Sequence, residues 1–105
     1  MAGLFRVKIF EIAGEVIVSI CDEELLGKII IDPERGVRIK IDEPFYGGEL
    51  MDLEEAMNAI ASSTQANLMG NRIVEAAIER GLTIRESVIV FGGIKHAQIV
   101  LYNSP

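Results

Sequence analysis

The chain reads as an α+β fold: a mostly antiparallel sheet of hairpins with two helices packed on one face. Three observations carry that reading. Strand-period alternation fills residues 4–20 and returns after residue 87, helical spacing is confined to the middle, and glycine-bearing turns separate the strand runs. Elements grouped by kind, rather than alternating strand and helix, favour this class over a parallel βαβ sheet. At 105 residues, one domain spanning 1–105 is expected, large enough to bury a core.

Taken in order, Phe5, Val7 and Ile9 share one strand face while Arg6 and Lys8 take the other, and Val16, Val18 and Ile20 repeat the pattern. Ala13-Gly14 lies between them as a tight turn, giving a first hairpin. From Cys21 the period breaks; Asp22 can cap one short helical turn and Gly27 can end it. Asp32-Pro33-Glu34-Arg35-Gly36 then combines a turn-starting carboxylate, a preset φ and a glycine. Ile29 and Ile31 before it, with Val37, Ile39 and Ile41 after it, make a second hairpin.

EPFYGGEL, residues 43–50, reads as a loop by its proline and paired glycines. Asp52 followed by Glu55 is a capping box, and Leu53, Ala56, Met57, Ile60 and Ala61 form the buried stripe of a first helix. Ser62-Ser63-Thr64 interrupts it, since their hydroxyls compete for backbone groups. A second helix is expected from about residue 64, in preference to one long kinked helix, carrying Met69, Ile73, Val74, Ala77 and Ile78 inward and closing at Arg80-Gly81. Residues 87–91 and 94–102 read as two strands around Gly92-Gly93, making a third hairpin or a strongly bent strand.

Half the residues are hydrophobic and a quarter charged, which is globular rather than disordered composition. No apolar run approaches a membrane span, the N-terminal stretch lacks a signal-peptide core, and the lone Cys21 fits a reducing compartment. A cytoplasmic protein with no membrane partner is therefore expected. The net charge of −6 opposes non-specific phosphate binding, so DNA is not expected as a partner. Local cation pairs remain at Arg6 with Lys8 and Arg38 with Lys40. One Cys and one His do not build a zinc site, and the phosphate-loop, dinucleotide and nucleophile-elbow motifs are missing. No metal or cofactor is expected.

Three stretches carry the candidate binding residues. In GGIKHAQIV, His96 and Gln98 project from one strand face, where an imidazole and an amide can read a hydrogen-bonding ligand or hold a neighbouring loop. In FYGGEL, the aromatic pair Phe45-Tyr46 precedes Gly47, Gly48 and Glu49, and is either a binding loop or a buried latch. In ANLMGNR, Asn67, Gly70 and Asn71 would share one small polar helix face, and a glycine inside a helix calls for a packing or functional reason.

CDEELLGK, FYGGEL, ANLMGNRIVEAAIERG and GGIKHAQIV, in this order and spacing, resemble the archaeal domain of unknown function 424 family over nearly the whole chain. The resemblance matches at Cys21, Asp22, Gly27, Phe45, Tyr46, Gly47, Gly48, Glu49, Asn67, Gly70, Gly92, Gly93, His96 and Gln98. It implies a small archaeal cytoplasmic protein without established activity, sometimes labelled as RNA-binding or translation-associated.

The expectation is a non-enzymatic binding module for RNA or a protein. Its surface would comprise Phe45, Tyr46, Gly47, Gly48, Glu49, Asn67, Gly70, Gly92, Gly93, His96 and Gln98. Two rival readings stand beside it: a small enzyme or metabolite-binding protein using His96 and Glu49 as an acid/base pair, and a homodimer pairing through an exposed strand.

Overall fold

A computed structural model describes residues 3–101. Eight strands and three helices follow in the order β1 Phe5–Ile12, β2 Glu15–Asp22, β3 Ile29–Asp32, β4 Val37–Lys40, α1 Glu43–Tyr46, β5 Glu49–Met51, α2 Leu53–Ala61, β6 Gln65–Met69, α3 Asn71–Glu79, β7 Ile89–Phe91 and β8 Ile94–Val100. Six strands form one sheet in the order β5-β1-β2-β6-β8-β7, and β3 pairs with β4 in a second. Among the described strands only the β2–β6 contact is parallel. No described helix is long and apolar enough to cross a membrane.

The three hairpins form where the turn chemistry puts them. Ala13 and Gly14 both take positive φ, and so do Gly92 and Gly93, the geometry a two-residue connection needs to match strand twist. Asp32 starts the β3–β4 turn by accepting from the Arg35 amide at 3.0 Å. Helix α2 carries the expected capping box: Asp52 accepts from the Glu55 amide at 2.8 Å and Glu55 accepts from the Asp52 amide at 3.0 Å.

The middle of the chain departs from the expectation in three places. Residues 65–69 are strand, not the start of a helix. Ala66 and Leu68 alternate into the core beside β2, and burial of that alternating pair overrides the helical spacing that Met69, Ile73 and Val74 suggest. EPFY is likewise not loop but a single helical turn, capped by the Asp42 side chain and started by Pro44, with Glu49–Met51 continuing as an edge strand. Asp22 makes no cap to the turn that follows it. Its carboxylate instead accepts from the backbone amides of Arg72 and Ile73, at 2.9 and 3.0 Å, and so caps α3 across the molecule.

The large sheet has a core on each side. One face carries Phe5, Val7, Val18, Ile20, Ala66, Leu68, Ala97 and Ile99, packed on Ala56, Met57 and Ile60 of α2 and on Ile73, Val74 and Ala77 of α3. Both long helices thus lie on one face, as the class requires. Against the other face, Cys21 and Met69 meet Leu25, Ile30, Ile41 and Tyr46, so α1 and the β3–β4 hairpin form a partial second cover. Only part of that second face is closed.

Candidate binding face on the open side of the sheet

Strand register brings scattered polar residues into rows on the face opposite α2 and α3. Lys8, Ser19, Asn67 and Gln98 are successive cross-strand partners on β1, β2, β6 and β8. Directly opposed residues point the same way, so these four side chains form one line of about 14 Å, at about 4.8 Å per strand. Arg6, Cys21, Met69 and His96 form the row on one side, and Phe10, Ile17, Gln65 and Val100 the row on the other. Cover thins toward β8: Ser19 is fully buried, Lys8 and Asn67 are half-buried, and Gln98 is exposed.

His96 sits beside this line. Its Nε2 is 2.8 Å from Asn67 Oδ1. A carbonyl oxygen only accepts, so Nε2 carries the proton and Nδ1 is left as an acceptor. The ring packs edge-on to Phe91, centroids 6.1 Å apart, and burial pushes its pKa below the usual 6.5, which keeps it neutral near pH 7. A neutral imidazole and two carboxamides therefore offer donors and acceptors on one face without fixed charge, while the Ser19 hydroxyl lies fully buried in the same row. Among the described residues the buried Ser19 hydroxyl has no hydrogen-bond partner. Lys8 lies 5.7 Å from the Phe10 ring centroid, and Phe10 stacks on Phe45 at 5.6 Å, so an aromatic pair and a cation border the row.

Other residues singled out by sequence belong to the scaffold. Tyr46 is not exposed on a loop: it is buried in the second core, and burial raises its pKa to about 12. Gly47 ends α1, donating its N–H to the Glu43 carbonyl at 2.8 Å, and a side chain on Gly48 would collide with the Val7 carbonyl of β1. FYGGEL is thus a latch onto this face, with only Phe45 bordering the polar row. Asn67, Gly70 and Asn71 do not share a helix face, because a strand, a turn and a helix hold one each. Asn71 instead donates to the Gly93 carbonyl at 3.3 Å and accepts from the Lys95 amide at 2.8 Å, pinning the β7–β8 turn. Gly92 lies against β3, where a Cβ would come within 2.6 Å of the Ile31 carbonyl oxygen.

The acid/base pairing of His96 with Glu49 is corrected by topology. Glu49 pairs with Val7 on β5, four strand positions from β8 and in register with the helix-covered face. Four spacings of about 4.8 Å separate the two backbones by roughly 19 Å, too far to serve the same reacting atoms. Among the described residues no group of three or more His, Cys, Asp or Glu side chains is arranged to hold a metal ion. Burial, with the adjacent Asp22 carboxylate, pushes the Cys21 thiol up to about 12, so it behaves as core rather than nucleophile.

The cations divide by location. Arg35, Arg72, Arg80, Arg85 and Lys95 each meet a carboxylate. Among the described residues Arg6, Lys8, Lys28, Arg38 and Lys40 form no ion pair. Arg6 and Lys8 stand on the open face. Lys28 precedes the hairpin that covers it, and Arg38 and Lys40 point outward from that hairpin on either side of the inward-packed Ile39. Sequence reasoning found Lys8 but not Ser19 or Phe10; the signal was the second alternating set Ile17, Ser19, Cys21, which runs between the obvious core positions.

The family described as "Protein of unknown function (DUF424)" matches residues 10–102. No curated protein matches. A crystal structure of an uncharacterised conserved protein from Methanopyrus kandleri is similar over 97% of this chain and 96% of its own, with 25% sequence identity and a TM-score of 0.79.

Proposed function

Because the chain belongs to the DUF424 family, whose description assigns no activity, we propose from its own geometry that it is a non-enzymatic binding module for single-stranded RNA, working beside RNA or the translation machinery. The observation that carries this reading is the Asn67–His96 hydrogen bond at 2.8 Å, set beside exposed Gln98 in one open row of the sheet. Unpaired bases are recognised by amide and imidazole groups on their edges and by aromatic rings on their faces. Phe10 and Phe45 border the same row. Among the described residues the cations without carboxylate partners include Arg6 and Lys8 on this face and Arg38 and Lys40 on the hairpin that covers part of it, which supports phosphate contact despite the net charge of −6.

The test is fluorescence anisotropy of short single-stranded RNAs of mixed sequence, titrated with wild type and with Asn67→Ala/Gln98→Ala. The reading expects wild-type binding that weakens with salt, and at least about a tenfold loss in the variant, since a lost bidentate base contact is worth about 1–3 kcal/mol. Equal affinities at matched folding, or binding unchanged by salt, contradict it. RNA-independent retention of one protein partner that survives nuclease treatment would instead favour a protein ligand on this face.

A further inference from the structure

We infer that the uncovered edge of β1 is a docking strand for a second copy of this chain. On one side β1 pairs with β2 along its whole length, from Phe5 to Ile12. On the other side β5 covers only Phe5, Arg6 and Val7. Among the described residues the edge from Lys8 to Ile12 is left without a neighbouring strand, and a row of free backbone donors and acceptors is a template for strand addition. Beside the charged Lys8 and Glu11 the segment exposes large apolar side chains: Ile9 is 54% exposed and Ile12 59% exposed.

The segment is complementary to itself. A two-fold axis perpendicular to the sheet at Phe10 sets Phe10 against the partner's Phe10, Lys8 against the partner's Ile12, and Ile9 against the partner's Glu11. Each of these pairs joins residues on the same face, which antiparallel pairing demands. No like charges meet, and the only cation and anion of the segment, Lys8 and Glu11, each face an isoleucine. Moving the axis to Glu11 would oppose two carboxylates, and moving it to Ile9 would drive the pairing into Gly48 and β5.

The ends fit as well. In this register the pairing runs from Lys8 to Ile12 and stops there, because β5 already holds the edge of Val7 through Glu49, and the partner's small Ala13-Gly14 turn comes next. At that point the first copy has an open notch of about 250 Å³ lined by Val7, Lys8, Ile9, Gly48, Glu49 and Met51. The hairpin tip, residues 11–15, is exposed throughout and free to reach it. The result is a continuous sheet with α2 and α3 of both copies on one side and both polar faces on the other. This inference does not depend on the RNA reading.

Sedimentation equilibrium from about 5 to about 200 μM tests it, because a dimer responds to concentration by mass action. Wild type is expected to be dimeric at the upper end, and Ile9→Lys/Ile12→Lys monomeric, with unchanged circular dichroism and melting since both positions are exposed. A monomeric wild type across the range, or a double variant as dimeric as wild type, overturns it. Phe10→Cys reads the register: paired Cα atoms about 4.5–5.5 Å apart lie within disulfide reach, so oxidation links the copies. A dimer that this variant does not link contradicts the two-fold at Phe10, and purification of β1 already paired with a foreign peptide contradicts the second copy as its occupant.

Discussion

The Asp22 carboxylate occupies the space a side chain on Gly70 would need. Gly70 links β6 to α3 at φ 134°, and Asp22 reaches over it from β2 to cap the first turn of the helix. A glycine offers the helix no capping side chain, so the neighbouring strand supplies one. Two constraints, backbone conformation and lost cap, therefore meet at one point.

Gly70→Ala should destabilise the fold by about 3 kcal/mol or more, because the conformation is almost glycine-only and the new methyl displaces a buried carboxylate. Asp22→Ala, which keeps the backbone, should cost about 1–3 kcal/mol through two unmade hydrogen bonds to α3. Urea denaturation of both measures this; equal stability of Gly70→Ala and wild type would refute the account of the turn.

The pH dependence should carry two opposing signatures. Burial raises the Asp22 pKa against the pull of its two amide donors, so its contribution to stability falls as pH climbs from about 3.8 through the raised value. Glu75 behaves oppositely: hydrogen bonds from Arg85 and Lys95 lower its pKa to about 2. Its contribution is present above 4.5 and is lost as pH falls toward 2. Melting temperatures of Glu75→Gln between pH 2 and 5 should show a shallower acid decline than wild type, and an identical decline would contradict the pairing.

As the chain's one histidine, His96 gives an unambiguous NMR titration. Its midpoint should fall below 6.5, with the proton of the neutral ring on Nε2. Since the depressed pKa disfavours the charged ring in the fold, stability from this group is full above 6.5 and declines as pH drops through the folded midpoint. A midpoint above 6.5 would contradict burial as the dominant influence on the ring, and the Nδ1–H tautomer would be inconsistent with the Asn67 hydrogen bond.

Tyr46→Ala should be a stability variant, costing about 3–5 kcal/mol as a buried aromatic truncation. Phe45→Ala, at a half-buried position against Phe10, should cost less and weaken RNA binding. Thermal melts alongside the anisotropy titration separate the two; loss of binding in Tyr46→Ala without loss of stability would return Tyr46 to the binding surface.

What sequence made legible was local chemistry. Ala13-Gly14, Asp32 to Gly36 and Gly92-Gly93 each state their turn, and Asp52 with Glu55 states a helix start. Residues 65–69 were hidden because Gln-Ala-Asn-Leu-Met contains no β-branched residue, and its apolar positions also fit the helix that follows. The single turn at EPFY was readable from Asp42 before Pro44, but paired glycines after it argued for loop. Of the candidate site, His96 with Gln98 followed from strand period alone. Their union with Asn67, Lys8 and Ser19 depends on cross-strand register, which no local pattern encodes, and the glycines of FYGGEL proved to serve close packing.

The most direct measurement of the central claim is a set of side-chain amide NMR spectra recorded while single-stranded RNA is added. The account predicts that the Asn67 and Gln98 carboxamide signals and the His96 ring shift together and saturate with RNA, while amides of α2 and α3 stay fixed. RNA that binds while leaving those three side chains unmoved, or that leaves every signal unmoved, would contradict it.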